Sequence, residues 1–206
     1  MASILEPVQI GSVTLKNRVV FPSMCVFFCD AEGCINDTMT EYIWERAEGG
    51  VGLIIVPGSP HGKPGPGRPA LSHNGYIPGW ARLTQVVHRY GAKLFCQLHP
   101  AKFQAGRGEA IEDINDFTPQ YIRSLIQSYA DCALRARQAG VDGVEIHGAH
   151  AHEVAQFMSP FYNRRTDDYG GSIANRARFA AEIIRGIKAT AGADYPLIFR
   201  ISGDEL

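Results

Sequence analysis

The sequence predicts an α/β fold with a parallel sheet, because short apolar strands alternate with amphipathic helices along its 206 residues. The strand-like runs are continuously apolar, which is typical of parallel strands that are buried on both faces. No change in composition marks a linker, so we expect a single domain. Two architectures fit this pattern, an eight-fold (β/α) barrel and an open, doubly wound sheet.

The composition narrows the possible functions. Apolar residues make up 45% of the chain, charged residues 20%, and the net charge at pH 7 is −1. The chain therefore has no excess of basic residues, which proteins that bind nucleic acids or anionic membranes usually have. The five cysteines have no paired spacing, which indicates reduced thiols and a cytoplasmic location. We expect neither a signal peptide nor a membrane span.

The first elements follow from turn and capping residues. Residues 8–18 predict a hairpin that turns at Gly11-Ser12, and Arg18–Phe21 predicts the first strand. Asn36-Asp37-Thr38 is a good N-cap group for a helix, and Gly49-Gly50 ends that helix.

The second and third units contain one segment that resembles a phosphate-binding loop. Val51–Val56 predicts the second strand, and a loop rich in glycine and proline follows at residues 61–68. Because Pro69 comes next and no helix begins there, phosphate-binding geometry is not expected. A helix over Trp80–Tyr90 and a strand over Ala92–Gln97 follow.

The fourth unit begins after a polar segment, residues 99–117, that we expect to be an exposed loop. Thr118-Pro119 opens a long helix that Gly140 ends, and Val144–Ile146 predicts the next strand. A short helix is predicted over Glu153–Met158.

The last unit is a helix from Ser172 to about Ala191 followed by a fifth strand over Tyr195–Ile201. A complete barrel typically takes about 250 residues, so five of its eight units are present. The first strand has no glycine-rich turn after it, which disfavours the dinucleotide-binding form of the open sheet.

The residues at the carboxyl ends of the predicted strands are mostly polar, with one methionine and one glycine. In a barrel, the carboxyl ends of the strands form one mouth, and active sites lie there. The residues at these ends are Met24, Gly58, Gln97, His147 and Arg200.

An arginine inside an apolar strand needs an anionic or carbonyl-rich partner. For Arg200 the alternatives are a ligand at the mouth or an ion pair with Glu145 or Asp204.

Three histidines, His147, His150 and His152, crowd one strand end. They could bind a metal, be structural residues satisfied by the backbone, or donate hydrogen bonds to a substrate oxygen. The sequence lacks His-Glu-x-x-His spacing, so no metal ligand is assigned.

Six runs of the sequence resemble motifs of the Old Yellow Enzyme family, in the branch of NADH:flavin oxidoreductases and 2,4-dienoyl-CoA reductases. The resemblance implies a (β/α)8 TIM barrel, truncated after about the fifth strand. Residues 1–206 would form a partial FMN-binding domain made of the hairpin and about five β/α units. The runs are Leu15–Val20, Glu145–His150, Gln156–Pro160, Asn163–Ser172, Asn175–Phe179 and Arg200–Ser202.

The resemblance also implies a flavin site at the strand ends. Gln97 and Arg200 would bond the pyrimidine end of FMN, where Arg200 would stabilise negative charge on the reduced flavin. The residues implied along or near the ring are Ser23, Met24, Cys25 and Gly58.

The family's activity would be reduction of an activated C=C bond, with NADH or NADPH as reductant. His147 and His150 would bind the carbonyl or carboxyl oxygen of a small unsaturated carbonyl or enoyl substrate. Many members have a tyrosine as proton donor two residues after the second histidine. His152 stands there instead, and we predict that it is the proton donor.

Two departures affect this interpretation. Pro100–Phe103 replaces the His-x-Gly-Arg that is common in the family. The later strands, which hold the FMN phosphate in the family, are missing from this sequence, and an iron–sulfur cluster would be expected only in that missing C-terminal part. We therefore expect a fragment, or a chain completed by a C-terminal segment or a second copy. A metal-dependent hydrolase barrel and an inactive fragment are the alternatives.

Overall fold

The structure is a computed structural model that describes residues 3–62, 66–99 and 113–204. It begins with the predicted hairpin, in which β1 (Val8–Ile10) pairs antiparallel with β2 (Val13–Leu15). Gly11, at the turn, has a φ of 57°, a left-handed conformation that glycine adopts without strain.

One curled parallel sheet forms the body of the chain, with each strand beside the next one in sequence. This arrangement confirms the predicted α/β class and its five strand units. The first strand is shorter than predicted, because only its last two residues pair with a neighbour. The strands, in sheet order, are β3 (Val20–Phe21), β4 (Leu53–Gly58), β5 (Lys93–Leu98), β6 (Gly143–Gly148) and β7 (Leu197–Ile201).

Helices connect the strands and begin at the predicted caps. The Asn36 side chain accepts a hydrogen bond of 3.0 Å from the Met39 backbone N–H, and Thr118 caps the longest helix in the same way. None of the helices formed by the described residues is long and apolar enough to cross a membrane. They are α1 (Asp37–Glu48), α2 (Ile77–Arg89), α3 (Pro119–Gln138), α4 (Glu153–Met158), α5 (Ile173–Arg176) and α6 (Arg178–Ala191).

Three predictions about these segments were wrong in detail. Helix α2 begins at Ile77, because Pro78 is accommodated in its first turn. The predicted helix from Ser172 is two helices that meet at Ala177. Residues 100–112 of the predicted exposed loop lie outside the described residues, but Ile114 and Phe117 at its end are buried in the core.

Apolar side chains fill both faces of the sheet. The larger cluster lies between the outer face and the helices, with Trp80, Tyr129 and Phe179 fully buried. On the inner face, Leu15 of the hairpin packs with Phe95 and other strand residues at the amino-terminal end of the sheet. The inner face near the carboxyl ends of the strands is therefore left to polar residues.

Candidate active site

The polar layer lies on the inner face at the carboxyl ends of three neighbouring strands. Gln97 on β5 is opposite Glu145 on β6, and His147 on β6 is opposite Arg200 on β7. Side chains two residues apart on a strand point to the same face, so Glu145 and His147 share the inner face. The structure thus brings together Gln97, His147 and Arg200, as predicted for residues at one mouth.

A buried hydrogen bond joins two strands within this layer. Gln97 Nε2 donates to Glu145 Oε1 across 2.5 Å, and both side chains are buried. Burial raises the pKa of the Glu145 carboxyl, while the Gln97 hydrogen bond and the Arg200 charge act in the opposite direction. From the sequence, Glu145 was considered only as a partner of Arg200. Its place two residues before His147 on one strand is the signal that it belongs to the inner layer.

The three sequence-predicted histidines lie near one another but differ in their exposure. His147 is buried, whereas His150 is exposed, and a 3.4 Å contact joins His147 Nε2 to His150 Nδ1. His150 and Ala151 have φ angles of 56° and 55°, a left-handed conformation that is uncommon outside glycine. This turn directs His152 back into the protein, where it is the N-cap residue of α4 and is 6% exposed.

A different set of three imidazoles meets in the interior: His99, His147 and His152. The His99 ring centroid is 5.3 Å from that of His147 and 4.3 Å from that of His152, and the last two are 4.4 Å apart. His99 was not among the residues predicted from the sequence. Because it follows Gln97 by two positions, strand alternation could have placed it on the inner face.

Two of these imidazoles are neutral at ordinary pH. Burial, followed by the charges of His99, His150 and Arg200, lowers the pKa of His147 to about 3. Burial and the neighbouring histidines likewise lower the pKa of His152 to about 2. A neutral imidazole offers one N–H donor and one nitrogen lone pair, so this cluster can donate hydrogen bonds or bind a metal.

The other predicted flavin residues lie at the ends of the two preceding strands. Ser23 is half-buried, and Met24 and Cys25 are exposed, all after β3. Gly58 is the last residue of β4 and is buried. A Cβ added there would lie 2.5 Å from Cys96 Sγ and 2.9 Å from Trp80, so packing on the outer face requires glycine. Any contact of these residues with a flavin stays a prediction.

The most specific of the sequence motifs, Asn163–Ser172, builds a loop. Asn163 Nδ2 donates to the backbone carbonyls of Phe157 and Tyr169 at 2.6 and 2.8 Å. Arg165 donates to the Asp167 carboxylate from Nε and Nη2, and this hydrogen bonding lowers the pKa of the Asp167 carboxyl. The motif therefore fixes the chain that follows α4.

A cavity of about 320 Å³ lies beside the polar layer, between the ends of β6 and β7 and helix α4. Gly148, Met158, Ile201 and Asp204 are among its lining residues, and none of the predicted site residues lines it. Two partners of Arg200 were considered from the sequence. Glu145 lies in the polar layer, whereas Asp204 lines this cavity.

Comparison with known proteins gives a family match over nearly the whole chain. The model of the NADH:flavin oxidoreductase / NADH oxidase family matches residues 3–206. The chain is 39% identical to an NADH oxidase of Thermoanaerobacter brockii, over 96% of this chain and 33% of that protein.

Solved structures show the same fold. A 2-naphthoyl-CoA reductase in complex with 2-naphthoyl-CoA has a TM-score of 0.87 and 30% identity, over 96% of this chain and 35% of that one. The Old Yellow Enzyme homologue of Zymomonas mobilis has a TM-score of 0.83 and 26% identity, over 97% of this chain and 63% of that one. The predicted barrel type is confirmed, and the chain spans between one third and two thirds of these relatives' lengths.

Proposed function

This chain belongs to the NADH:flavin oxidoreductase / NADH oxidase family, and from that premise we propose that it acts in an FMN-dependent ene reductase. The reaction would be reduction of the C=C bond of a small α,β-unsaturated carbonyl or enoyl compound with NADH or NADPH. The observation that carries the proposal is the polar layer, where Gln97, His147 and Arg200 share one mouth. The relative solved with 2-naphthoyl-CoA supports an acyl substrate of this kind.

The donor set of the polar layer fits FMN. The pyrimidine end of a flavin offers carbonyl oxygens and ring nitrogens, which suit an amide donor and a guanidinium. Gln97 and Arg200 supply these groups on the same face, and Arg200 is half-buried rather than sealed in the core. We propose that they hold this end, with Ser23, Met24, Cys25 and Gly58 along or near the ring. When bound, FMN supplies hydride transfer between the nicotinamide and the substrate.

His147 and His150 are proposed to bind the substrate oxygen. Their ring nitrogens are 3.4 Å apart, so two N–H groups can be directed at one oxygen. Donors fixed in a water-poor site stabilise the negative charge that develops on that oxygen, and this polarises the double bond. His147 is buried and held on β6, which gives one of the two donors a fixed position.

His152 remains our proposed proton donor to the substrate α-carbon, but its low pKa changes the form of the imidazole that donates. Its pKa of about 2 means that the proton would come from a neutral imidazole N–H, a much weaker acid than imidazolium. His152→Phe should therefore lower double-bond reduction and leave FMN binding intact. Unchanged reduction would contradict this assignment.

We also propose how the protein occurs in the cell. The cysteines that the structure describes are free, which supports a reducing, cytoplasmic location. A second copy or a C-terminal segment would complete the barrel, because β3 and β7 are the outer strands of the five-stranded sheet. No nucleic acid or membrane partner is proposed. Residues 1–206 would constitute the FMN-binding barrel domain up to its fifth strand.

The test is an anaerobic assay of the purified full chain with FMN, NAD(P)H and 2-naphthoyl-CoA or a cinnamoyl thioester. Flavin absorbance should bleach with NAD(P)H and return when the thioester is added, with the two-electron-reduced thioester formed. Arg185→Ala, an exposed change on α6, should behave like the wild type. A protein that retains FMN but never reduces the thioester would contradict the substrate assignment. A protein that retains no FMN would contradict the proposed function.

A further inference from the structure

The buried histidine cluster has a geometry that the flavin chemistry does not require. His99, His147 and His152 each offer one ring nitrogen, and these nitrogens all lie within 4.8 Å of one another. The three side chains come from different segments: the end of β5, the inner face of β6 and the start of α4. Their exposures are 9%, 3% and 6%, so the cluster is closed to bulk water.

The backbone holds each member in place. The His99 N–H donates to the Gly58 carbonyl at 3.3 Å, and β6 carries His147 between two paired strands. The His152 N–H donates to the Ala149 carbonyl at 3.2 Å. The left-handed residues before His152 fold the chain back toward the other two imidazoles.

One nitrogen of the cluster is buried without a hydrogen bond. His147 Nδ1 has no hydrogen-bond partner within the described part of the chain, while His147 Nε2 lies 3.4 Å from His150 Nδ1. A buried nitrogen left in this state costs free energy unless something binds it. The contact to His150 resembles the outer hydrogen bond that orients a metal-bound histidine, and it leaves Nδ1 for the metal.

We propose that His99, His147 and His152 form a binding site for a divalent transition-metal ion, with Zn²⁺ as the expected ion. Three imidazoles suit zinc, nickel, copper or iron, whereas magnesium and calcium need oxygen ligands. Tetrahedral zinc with bonds of about 2.0–2.1 Å places its nitrogens about 3.3 Å apart. The ligand nitrogens are at most 4.8 Å apart, so each pair must approach by at most about 1.5 Å to reach that distance. Rotation of the side chains can supply a movement of this size.

Three protein ligands leave one coordination position open, as in catalytic zinc sites. The site differs from the set His147, His150 and His152 that the sequence spacing suggested, because His150 is exposed and His99 takes its place. His147 is also one of the two proposed substrate-binding residues. A metal on Nδ1 would keep the His147 proton on Nε2, the nitrogen proposed to donate to the substrate oxygen, and only this consequence rests on the proposed function.

The test uses the full chain, freed of metal by a chelator that is then removed, without flavin or NAD(P)H. Titration with Co²⁺ should give visible d–d absorption that saturates at one equivalent per chain, and Zn²⁺ should abolish it. His99→Gln, His147→Gln and His152→Gln should each weaken binding by more than about 100-fold. His88→Gln and His73→Gln should bind like the wild type, since both residues lie outside the cluster. Circular dichroism checks that each variant is folded.

Three results would overturn the proposal: no Co²⁺ binding at about millimolar concentration, unchanged binding in His99→Gln, or loss of binding in His88→Gln. X-ray absorption of the zinc-loaded wild type gives a second measurement that needs no variant. It should show three imidazole nitrogens, and a shell without imidazole scattering would also overturn the site. Because flavin is absent throughout, failure here is distinguishable from failure of the ene reductase assay.

Discussion

At the amino-terminal end of the sheet, the largely buried carboxylate of Asp142 has charged and polar partners. It lies 2.7 Å from His88 Nε2 and 3.1 Å from Lys93 Nζ, and accepts a bond of 2.9 Å from the Leu94 N–H. Its side chain is 9% exposed, and each of these partners ties β6 to β5 or α2. This arrangement is typical of groups that stabilise a fold.

At the carboxyl-terminal end, three imidazoles pack together with no carboxylate in their group. The nearby carboxylate, Glu145, is already bonded to Gln97. His147 keeps a buried nitrogen that no hydrogen bond within the described residues satisfies. An uncompensated buried polar group is costly, so the unsatisfied His147 nitrogen among packed imidazoles indicates a ligand site at this end of the sheet.

The largest expected effect is on activity at the carboxyl-terminal end. His147→Ala should lower kcat/KM for enoyl reduction by about 10²–10³-fold, the cost of losing one donor to a developing oxyanion. The measurement is the initial rate of thioester-dependent NAD(P)H oxidation in the folded, FMN-loaded protein. His73→Ala is the control and should retain activity. A loss of less than tenfold in His147→Ala would contradict the assignment of a catalytic role to the carboxyl-terminal end of the sheet.

At the amino-terminal end, the expected effect is on stability. Asp142→Ala should lower the free energy of unfolding by about 3 kcal/mol, because Lys93, His88 and the Leu94 N–H lose a shared acceptor. Urea unfolding followed by circular dichroism measures this change. Asp142→Asn keeps one acceptor oxygen and should cost less. If both variants unfold like the wild type, Asp142 does not stabilise this end.

A third change tests the outer face near the mouth. Gly58→Ala should destabilise the protein by about 2 kcal/mol, because the new methyl group would overlap Cys96 Sγ and the Trp80 ring. Thermal or urea unfolding gives the value. Gly203→Ala is the matched control, because Gly203 has an ordinary φ and open space, and it should change stability little. Gly50 would not serve, since its left-handed φ of 95° adds backbone strain to any substitution. Equal effects of the two changes would refute the packing argument.

The smallest effect should come from an exposed ion pair. Asp194 binds Arg137 at 3.0 Å, but its side chain is 68% exposed, so solvent screens the pair. Asp194→Ala should leave the free energy of unfolding close to that of the wild type. Comparison with Asp142→Ala distinguishes the effect of burying a charged pair from the effect of pairing alone. A loss as large as that of Asp142→Ala would contradict this reasoning.

The strands and most helix ends could be predicted from local patterns. Apolar runs give β4 to β7, and Asn36 and Thr118 act as the expected caps. The division at Ala177 could not be predicted, because the apolar stripe of α6 continues without a local stop signal. Burial of Ile114 and Phe117 depends on packing from distant segments.

The meeting of the strand-end residues was predicted in part, and the reason is geometric. Gln97, His147 and Arg200 meet because strand ends meet in any parallel sheet. The outward position of His150 depends on backbone angles that spacing alone does not reveal, whereas strand alternation from Gln97 could have placed His99 in the cluster. The roles of these residues toward flavin and substrate stay predictions.

The most direct test of the flavin site is anaerobic titration of the full chain with FMN, followed by quenching of FMN fluorescence. The proposed site predicts saturation at one FMN per chain, and affinity at least about tenfold weaker in Arg200→Ala, which loses a charge-assisted donor. Arg185→Ala, exposed on α6, should match the wild type. Equal FMN affinity in Arg200→Ala and the wild type, or no saturable binding at all, would contradict the assignment of the carboxyl-terminal mouth as the flavin site.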